Sequence, residues 1–248
     1  MRLFTLTLLL FTSTTIAAFA ETARIAAATN FAETARSLAE AFNAATGHDV
    51  EVIPGATGKL FAQVAAGAPY DAFLSADTET VDRLIEAGLA PDGHRQTYAI
   101  GALVLWSGRS GLSLADPGAA LRQARHVAIA NPALAPYGRA AMKALRSLGL
   151  QEAVAPKLVT GENVGQAFAL VETGAADLGF VAASSLVGRT GAADSYWRVP
   201  DDAHDPILQD AVLLSHGADN AAALGFLDYL RSDEARRSIG AAGYGVAP

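Results

Sequence analysis

The 248-residue chain contains no cysteine. That excludes a disulfide, a thiolate metal site, a cysteine nucleophile and a lipid anchor on an N-terminal cysteine. Charge is also sparse: only 17% of residues are Asp, Glu, Lys or Arg, and the formal balance is −7. An acidic chain without a basic run is a poor partner for nucleic acid or anionic lipid, so neither is expected. After the first twenty residues no apolar stretch approaches the roughly 20 residues that span a bilayer, so no membrane insertion is expected. The five histidines (His48, His94, His126, His204 and His216) are scattered and form no HExxH or similar pair.

What is abundant is apolar: 51% of residues are hydrophobic, much of this alanine. A chain of this length and composition can bury a sizeable core and is not disordered. Residues 1–20 read as a signal peptide. Arg2 is a minimal basic region, Leu3 to Phe11 an apolar stretch too short to span a membrane, and Ala18-Phe19-Ala20 a small-x-small cleavage site. The mature chain is expected to begin near Glu21, carry a net charge near −8 because only Arg2 is lost, and be free in a compartment that retains it, as a periplasm does.

Short β-type runs then alternate with amphipathic helices. Arg24–Ala28, Val50–Ile53 and Ala72–Ser75 read as strands, with helices at Ala32–Ala45, Leu60–Ala66 and Thr78–Ala87 between and after them. Ala35, Leu38, Ala39 and Phe42 share one helical face. Ile100–Trp106 is strongly β. The pattern restarts with strands at Val127–Ala130, Lys157–Val159 and Leu178–Ala182 and helices at Gly138–Leu148 and Gly165–Thr173. Ile207–Leu214 is a late β run before helices at Ala221–Ser232 and Glu234–Ala241.

Such βα alternation predicts an α/β fold with mostly parallel sheets flanked by helices. Two series separated by a strand predict two lobes. The reading is 21–101 plus 212–248 for a discontinuous first lobe and 102–211 for the second, with a ligand cleft between them at the carboxyl ends of the strands.

Four strand-to-helix turns carry small, polar or glycine residues. They are Ala28-Thr29-Asn30, Gly55-Ala56-Thr57-Gly58, Asn131 through Pro136-Tyr137-Gly138, and Gly161-Glu162-Asn163-Val164-Gly165. Each lies where a helix begins, where N–H groups lack partners and the dipole is positive. Four such ends aimed at one cleft would hold an anion without any formal positive charge. One end is worth about 0.3–1 kcal/mol to an anion, and each hydrogen bond to a charged group roughly 1.5–3 kcal/mol. Together these reach micromolar affinity, about 8 kcal/mol. The plainer reading is that Thr29, Thr57 and Asn163 only cap their own helices. Capping alone does not require Gly55 and Gly58 around Thr57.

These turns resemble the periplasmic molybdate-binding proteins of ABC importers. So do Ala26-Ala27-Ala28-Thr29-Asn30-Phe31, Gly55-Ala56-Thr57-Gly58-Lys59-Leu60, the Gly67-to-Asp77 segment and Gly179-Phe180-Val181-Ala182. The resemblance implies a two-lobed type II periplasmic-binding fold, a molybdate or tungstate ligand, no cofactor, no enzymatic activity, and delivery to the membrane permease subunits of an importer. It implies contacts from the Thr29 hydroxyl, Asn30, the Thr57 hydroxyl and amide with Gly58 beside it, and the amides at Tyr137 and Val164. Such a site needs no direct bond from protein to metal. A monomer is expected. Some members place a ligand tyrosine after the Gly-x-Val strand, where this chain has Ala182. Tyr137 is then a candidate to supply a phenol, and whether it gives its hydroxyl or only its backbone stays open. So does preference between molybdate and tungstate.

Other signals carry less. Lys59 follows Gly58, but Ile53 and Leu60 break the Walker pattern, so Lys59 and Arg139 read as solvated surface charges. Asp201-Asp202-Ala203-His204-Asp205 lacks a calcium-loop pattern and reads as a polar loop. Asp71 and Asp77 read as capping or solvent-facing, and Trp106 and Trp197 as packing residues. The alternatives are a receptor for another tetrahedral or small organic anion or, in a different class, a serine hydrolase using Ser184 or Ser185, for which no base can be named.

Overall fold

The computed structural model describes residues 20–91, 93–108, 113–189 and 196–246. The expected signal peptide, apart from Ala20, lies outside them. The first half gives β1 (Thr22–Ala28), α1 (Ala32–Thr46), β2 (Asp49–Gly55), α2 (Thr57–Ala65), β3 (Ala72–Leu74), α3 (Glu79–Glu86) and β4 (Arg95–Gly101). Then come β5 (Leu103–Trp106), α4 (Pro117–Gln123), β6 (Val127–Ala130), α5 (Pro136–Ser147), α6 (Gln151–Val154), β7 (Leu158–Gly161), α7 (Val164–Glu172), β8 (Leu178–Ala182) and β9 (Tyr196–Arg198). The chain closes with β10 (Ile207–Leu213), α8 (Ala221–Tyr229) and α9 (Asp233–Ala241).

Two five-stranded sheets result, ordered β2-β1-β3-β10-β4 and β7-β6-β8-β5-β9. In the first, β1 runs parallel to β2 and β3, and β10 is antiparallel to both β3 and β4. The second repeats the plan: β6 is parallel to β7 and β8, and β5 is antiparallel to β8 and β9. Each sheet therefore has one reversed strand in an otherwise parallel set.

Both faces of both sheets are covered, and the period-two alternation of strand side chains divides them between two cores each. On β1, Ala23, Ile25 and Ala27 pack with Leu38 and Phe42 of α1 and Phe226 of α8, while Ala26 faces Leu60, Val64 and Leu84 of α2 and α3. On β5, Leu103 and Leu105 join Ile129 and Phe180, while Val104 and Trp106 join Phe168 and Val171. Burying Leu38 and Phe42 is worth roughly 1.5–3 kcal/mol each. That burial, more than alanine's helix preference, anchors α1. Trp106 stacks on Phe168 with centroids 4.8 Å apart, which is the packing role expected of it.

The sequence reading does not include α4, α6 or β9, and it begins the β4 run at Ile100 rather than Arg95; two lobe boundaries also differ. The β run Ile100–Trp106 is broken at Ala102, and its halves belong to different sheets, so this is one point where the chain crosses between lobes. The return crossing lies earlier than residue 212. β10 pairs with β4 from Ile207 onward, so Ile207–Ala211 belong by hydrogen bonding to the first sheet, not the second lobe. A uniformly apolar run does not announce which sheet it joins; backbone pairing decides that.

Candidate functional site

Four of the strand-to-helix turns converge. A pocket is lined by Thr29 and Asn30 from the β1–α1 turn, Ala56 and Thr57 from β2–α2, Pro136 and Tyr137 at the start of α5, and Asn163 and Val164 at the start of α7. Ala28, Gly55, Ala76 and Ala135 complete its wall. Two turns come from each sheet, so the pocket lies between the lobes. Across it the Gly58 N–H donates to the Leu134 carbonyl at 2.8 Å, and a Cβ on Gly165 would stand only 2.6 Å from the Thr29 methyl. The two lobes are in contact.

The hydroxyls decide between a ligand site and mere capping. Thr29 Oγ1 and Thr57 Oγ1 are buried and have no hydrogen-bond partner among the described residues. Neither caps a helix. The N-cap positions of α1 and α2 are Phe31 and Ala56, and neither makes a side-chain cap. Asn163 behaves otherwise: its Oδ1 accepts from Gln166 N at 3.0 Å, so it is a true N-cap of α7. A buried hydroxyl without a partner costs about 1–3 kcal/mol. Two of them in one small pocket are unexplained by packing and are aimed where a polar ligand would sit.

Backbone donors accompany them. Gly138 and Arg139 amides bond Ala135 O, and Ala167 N bonds Asn163 O, which leaves the Tyr137 and Val164 amides as first-turn N–H groups with no acceptor among the described residues. Thr57 N–H, at the first position of α2, and Asn30 N–H are in the same condition. No charged side chain lines the pocket.

Three of the expected contacts have other partners in the structure. Gly58 spends its amide on Leu134 O, and a Cβ there would meet Leu134 Cα and O at 3.2 Å. Its part is therefore close approach of the lobes. The Asn30 side chain turns away: Nδ2 donates to Gln209 Oε1 at 2.8 Å and reaches Tyr244 Oη at 3.4 Å, so Asn30 offers the pocket its backbone. The Tyr137 phenol is buried and accepts from Gln209 Nε2 at 3.5 Å. Burial pushes that phenol well above its ordinary range, and it stays protonated.

Lys59 and Arg139 are not free surface charges. Lys59 pairs with Glu162 at 3.1 Å, and Arg139 with Asp77, which also accepts from Thr80 N at 2.9 Å. Each pair joins one sheet's turns to the other's. Periodicity could not have found them, because each pairs residues from distant segments. Asp71 is buried, accepting from Arg24 N at 2.7 Å and facing His216 Nδ1 at 3.0 Å. Ser184 and Ser185 sit in a 3₁₀ turn at Ala183–Leu186, and no described histidine hydrogen-bonds either. His204 Nδ1 instead meets Asp205 O at 2.7 Å, and Asp205 pairs with Lys143. Among the described residues no three His, Asp or Glu gather to hold a metal ion, and no helix is long and apolar enough to cross a membrane.

Comparison with known proteins places this arrangement. The family model for bacterial extracellular solute-binding proteins matches residues 23–245. A molybdate-binding protein of Rhodobacter capsulatus is 44% identical over 220 residues, 88% of this chain and 86% of that protein. Another from Azotobacter vinelandii is 44% identical over 238 residues, 93% of this chain and 92% of that protein. The solved structure of the Azotobacter vinelandii periplasmic molybdate-binding protein superposes with a TM-score of 0.86 at 39% identity, covering 91% of this chain and all of that one. With the match spanning both lobes and every turn of the pocket, the chain belongs to the bacterial extracellular solute-binding protein family.

Proposed function

We propose that the protein is a periplasmic receptor for molybdate and tungstate that passes the anion to the membrane subunits of an ABC importer. The observation that carries this reading is the pair of buried, unpartnered hydroxyls, Thr29 Oγ1 and Thr57 Oγ1, in one pocket. Four partnerless backbone amides around them complete a set of neutral donors contributed by both lobes. The names and extent of the relatives agree with it.

The chemistry follows from donors alone. A dianion that is fully ionised at neutral pH presents only acceptors, and every group named here can donate to it. A protonated phosphate must donate a hydrogen bond of its own, and the pocket offers it no carboxylate, only the weaker hydroxyl and amide oxygens. Because donors come from both lobes, the ligand binds the closed arrangement better than an open one and shifts the population toward it. The importer's membrane subunits then meet the closed lobes of a monomer. The residues proposed to touch the anion are Thr29, Asn30 through its amide, Thr57, Tyr137 and Val164; Gly58 supports them by closing the lobes. The lobes are proposed as 21–101 with 207–248, and 102–206.

Calorimetric titration of the mature protein with molybdate, tungstate, sulfate and phosphate tests this. Molybdate and tungstate should bind at micromolar affinity or better, and phosphate should bind more weakly. No binding of either metal oxyanion would overturn the assignment.

A further inference from the structure

Behind the pocket lies a buried polar cluster that meets it only through Asn30 and Tyr137. Its centre is Gln209, fully buried on β10 at the point where the β10–β4 register shifts between Gln209 and Asp210. Gln209 Oε1 accepts from Asn30 Nδ2 at 2.8 Å and from Tyr98 Oη at 3.1 Å. Its Nε2 reaches Tyr137 Oη at 3.5 Å. Tyr244 Oη closes the ring by donating to the Asn30 carbonyl at 2.5 Å. Tyr98 Oη also lies 3.1 Å from Ser75 O.

Asn30 and Tyr137 are the two ends of this cluster, and both offer the pocket a backbone amide. Asn30 belongs to the first sheet's turn and Tyr137 to the second sheet's. One side-chain amide therefore links a first-lobe turn to a second-lobe helix start from the rear. The link passes the chain crossing itself: a Cβ on Gly101 would lie 2.2 Å from Tyr137 Oη and 2.8 Å from Gln209 Nε2. Only glycine leaves room there. Leu208 on its exposed side and Ile207 on its buried side follow the strand's alternation, which turns the Gln209 side chain inward. An aliphatic residue would fill this interior equally well for packing, yet a polar one occupies it with both ends engaged.

We infer that Gln209 is a positioning residue for ligand binding, setting the spacing between the Asn30 and Tyr137 amides on opposite lobes. It touches no ligand itself. The inference rests on the oxyanion-receptor reading, because it concerns donors assigned there.

The test is a double-mutant cycle in the mature protein, with molybdate as titrant and Kd and unfolding temperature both measured. Gln209→Met keeps the volume and removes the hydrogen bonds; Tyr137→Phe removes only the second-lobe end. Gln209→Met should raise Kd by about three- to tenfold, in line with the loss of a hydrogen bond. Tyr137→Phe should raise it by a smaller factor, and the double variant should bind no worse than Gln209→Met alone, because the two changes break one link. A merely structural glutamine would lower the unfolding temperature of the empty protein and leave Kd within twofold; that result, or independent multiplying effects, overturns the inference. If Gln209→Met does not fold, Tyr137→Phe decides: wild-type Kd in that variant sinks the proposal. Wild-type protein that binds no molybdate would refute the receptor reading instead, so the two failures are distinct.

Discussion

Lys59 Nζ lies 3.1 Å from both carboxylate oxygens of Glu162, joining the first turn of α2 in one lobe to the β7–α7 turn of the other. Both side chains are part-exposed, at 51% and 36% of their accessible area, so the pair works in a solvent-screened setting. Exposed ion pairs contribute about 0.2–1 kcal/mol. Lys59→Ala should therefore raise the Kd for molybdate by about 1.4- to 5-fold at low salt. The penalty should shrink in about 0.5 M salt, where the Debye length is only a few ångströms. Wild-type affinity itself should depend weakly on salt, since the pocket donors are neutral. Titrations at two ionic strengths check both statements; a Lys59→Ala effect that persists in high salt would show that Lys59 acts on the ligand directly.

The hydroxyl of Thr57 has no partner among the described residues, so its loss should be felt only when a ligand is present. Thr57→Val keeps the shape and removes the donor. Kd should rise by roughly 10- to 150-fold, corresponding to about 1.5–3 kcal/mol for a hydrogen bond to a charged group. The stability of the empty protein should not fall, because no bond within the protein is lost. Thr57→Ser should bind close to wild type. Calorimetry with parallel urea unfolding separates the two quantities, and a Thr57→Val protein with unchanged Kd removes Thr57 from the site.

How far the sequence foretold this pocket depends on the distance over which each signal acts. Short apolar runs, helical periodicity and turn glycines are local, so the strands at Val127–Ala130 and Leu178–Ala182 and the face of α1 read correctly. The turns that end the strands were legible for the same reason. The Asp116-Pro117 pair, an N-cap followed by proline at the first turn, also marks α4 and was there to be read. Pairing between distant segments is not local. Nothing near Ile100 says that the run splits at Ala102, nothing near Lys59 names Glu162, and nothing near Asn30 says that Gln209 captures its side chain. The residue types at the site were visible; the division between backbone and side-chain donors required the fold.

Gly165 tests whether the lobes must meet this closely for binding. A methyl there would fall 2.6 Å from the Thr29 Cγ2, a half-buried β-branched group with little rotamer freedom. Gly165→Ala should therefore destabilise the closed arrangement by roughly 1–3 kcal/mol, the usual cost of overpacking, while an open arrangement feels only the milder approach to Asn163 Oδ1 at 3.2 Å within the same lobe. Affinity for molybdate should drop about 5- to 150-fold with little change in the unfolding of the empty protein. The compaction on adding ligand, followed by small-angle X-ray scattering, should need correspondingly more molybdate. Wild-type affinity in Gly165→Ala would mean that the Thr29 methyl can retreat without loss.

The buried phenols predict a loss of stability confined to alkaline solution. Burial holds Tyr98 and Tyr137 well above the ordinary tyrosine range and pushes Tyr244 up to about 12. In the unfolded chain all three ionise near pH 10. Below that value both states are protonated and the stabilisation is fully present. Above it the unfolded chain binds fewer protons than the folded one, so unfolding becomes more favourable as pH rises through the folded-state values. The urea midpoint should be level between about pH 7 and 9 and lower at pH 11, following the ordinary tyrosine value. Absorbance near 295 nm should show these three of the six tyrosines in the chain titrating only as the protein unfolds. Molybdate affinity should stay flat over the neutral range, because no donor in the pocket titrates there. Equal urea midpoints at pH 8 and pH 11 would mean that water reaches the cluster around Gln209, and with it the rear wall of the site.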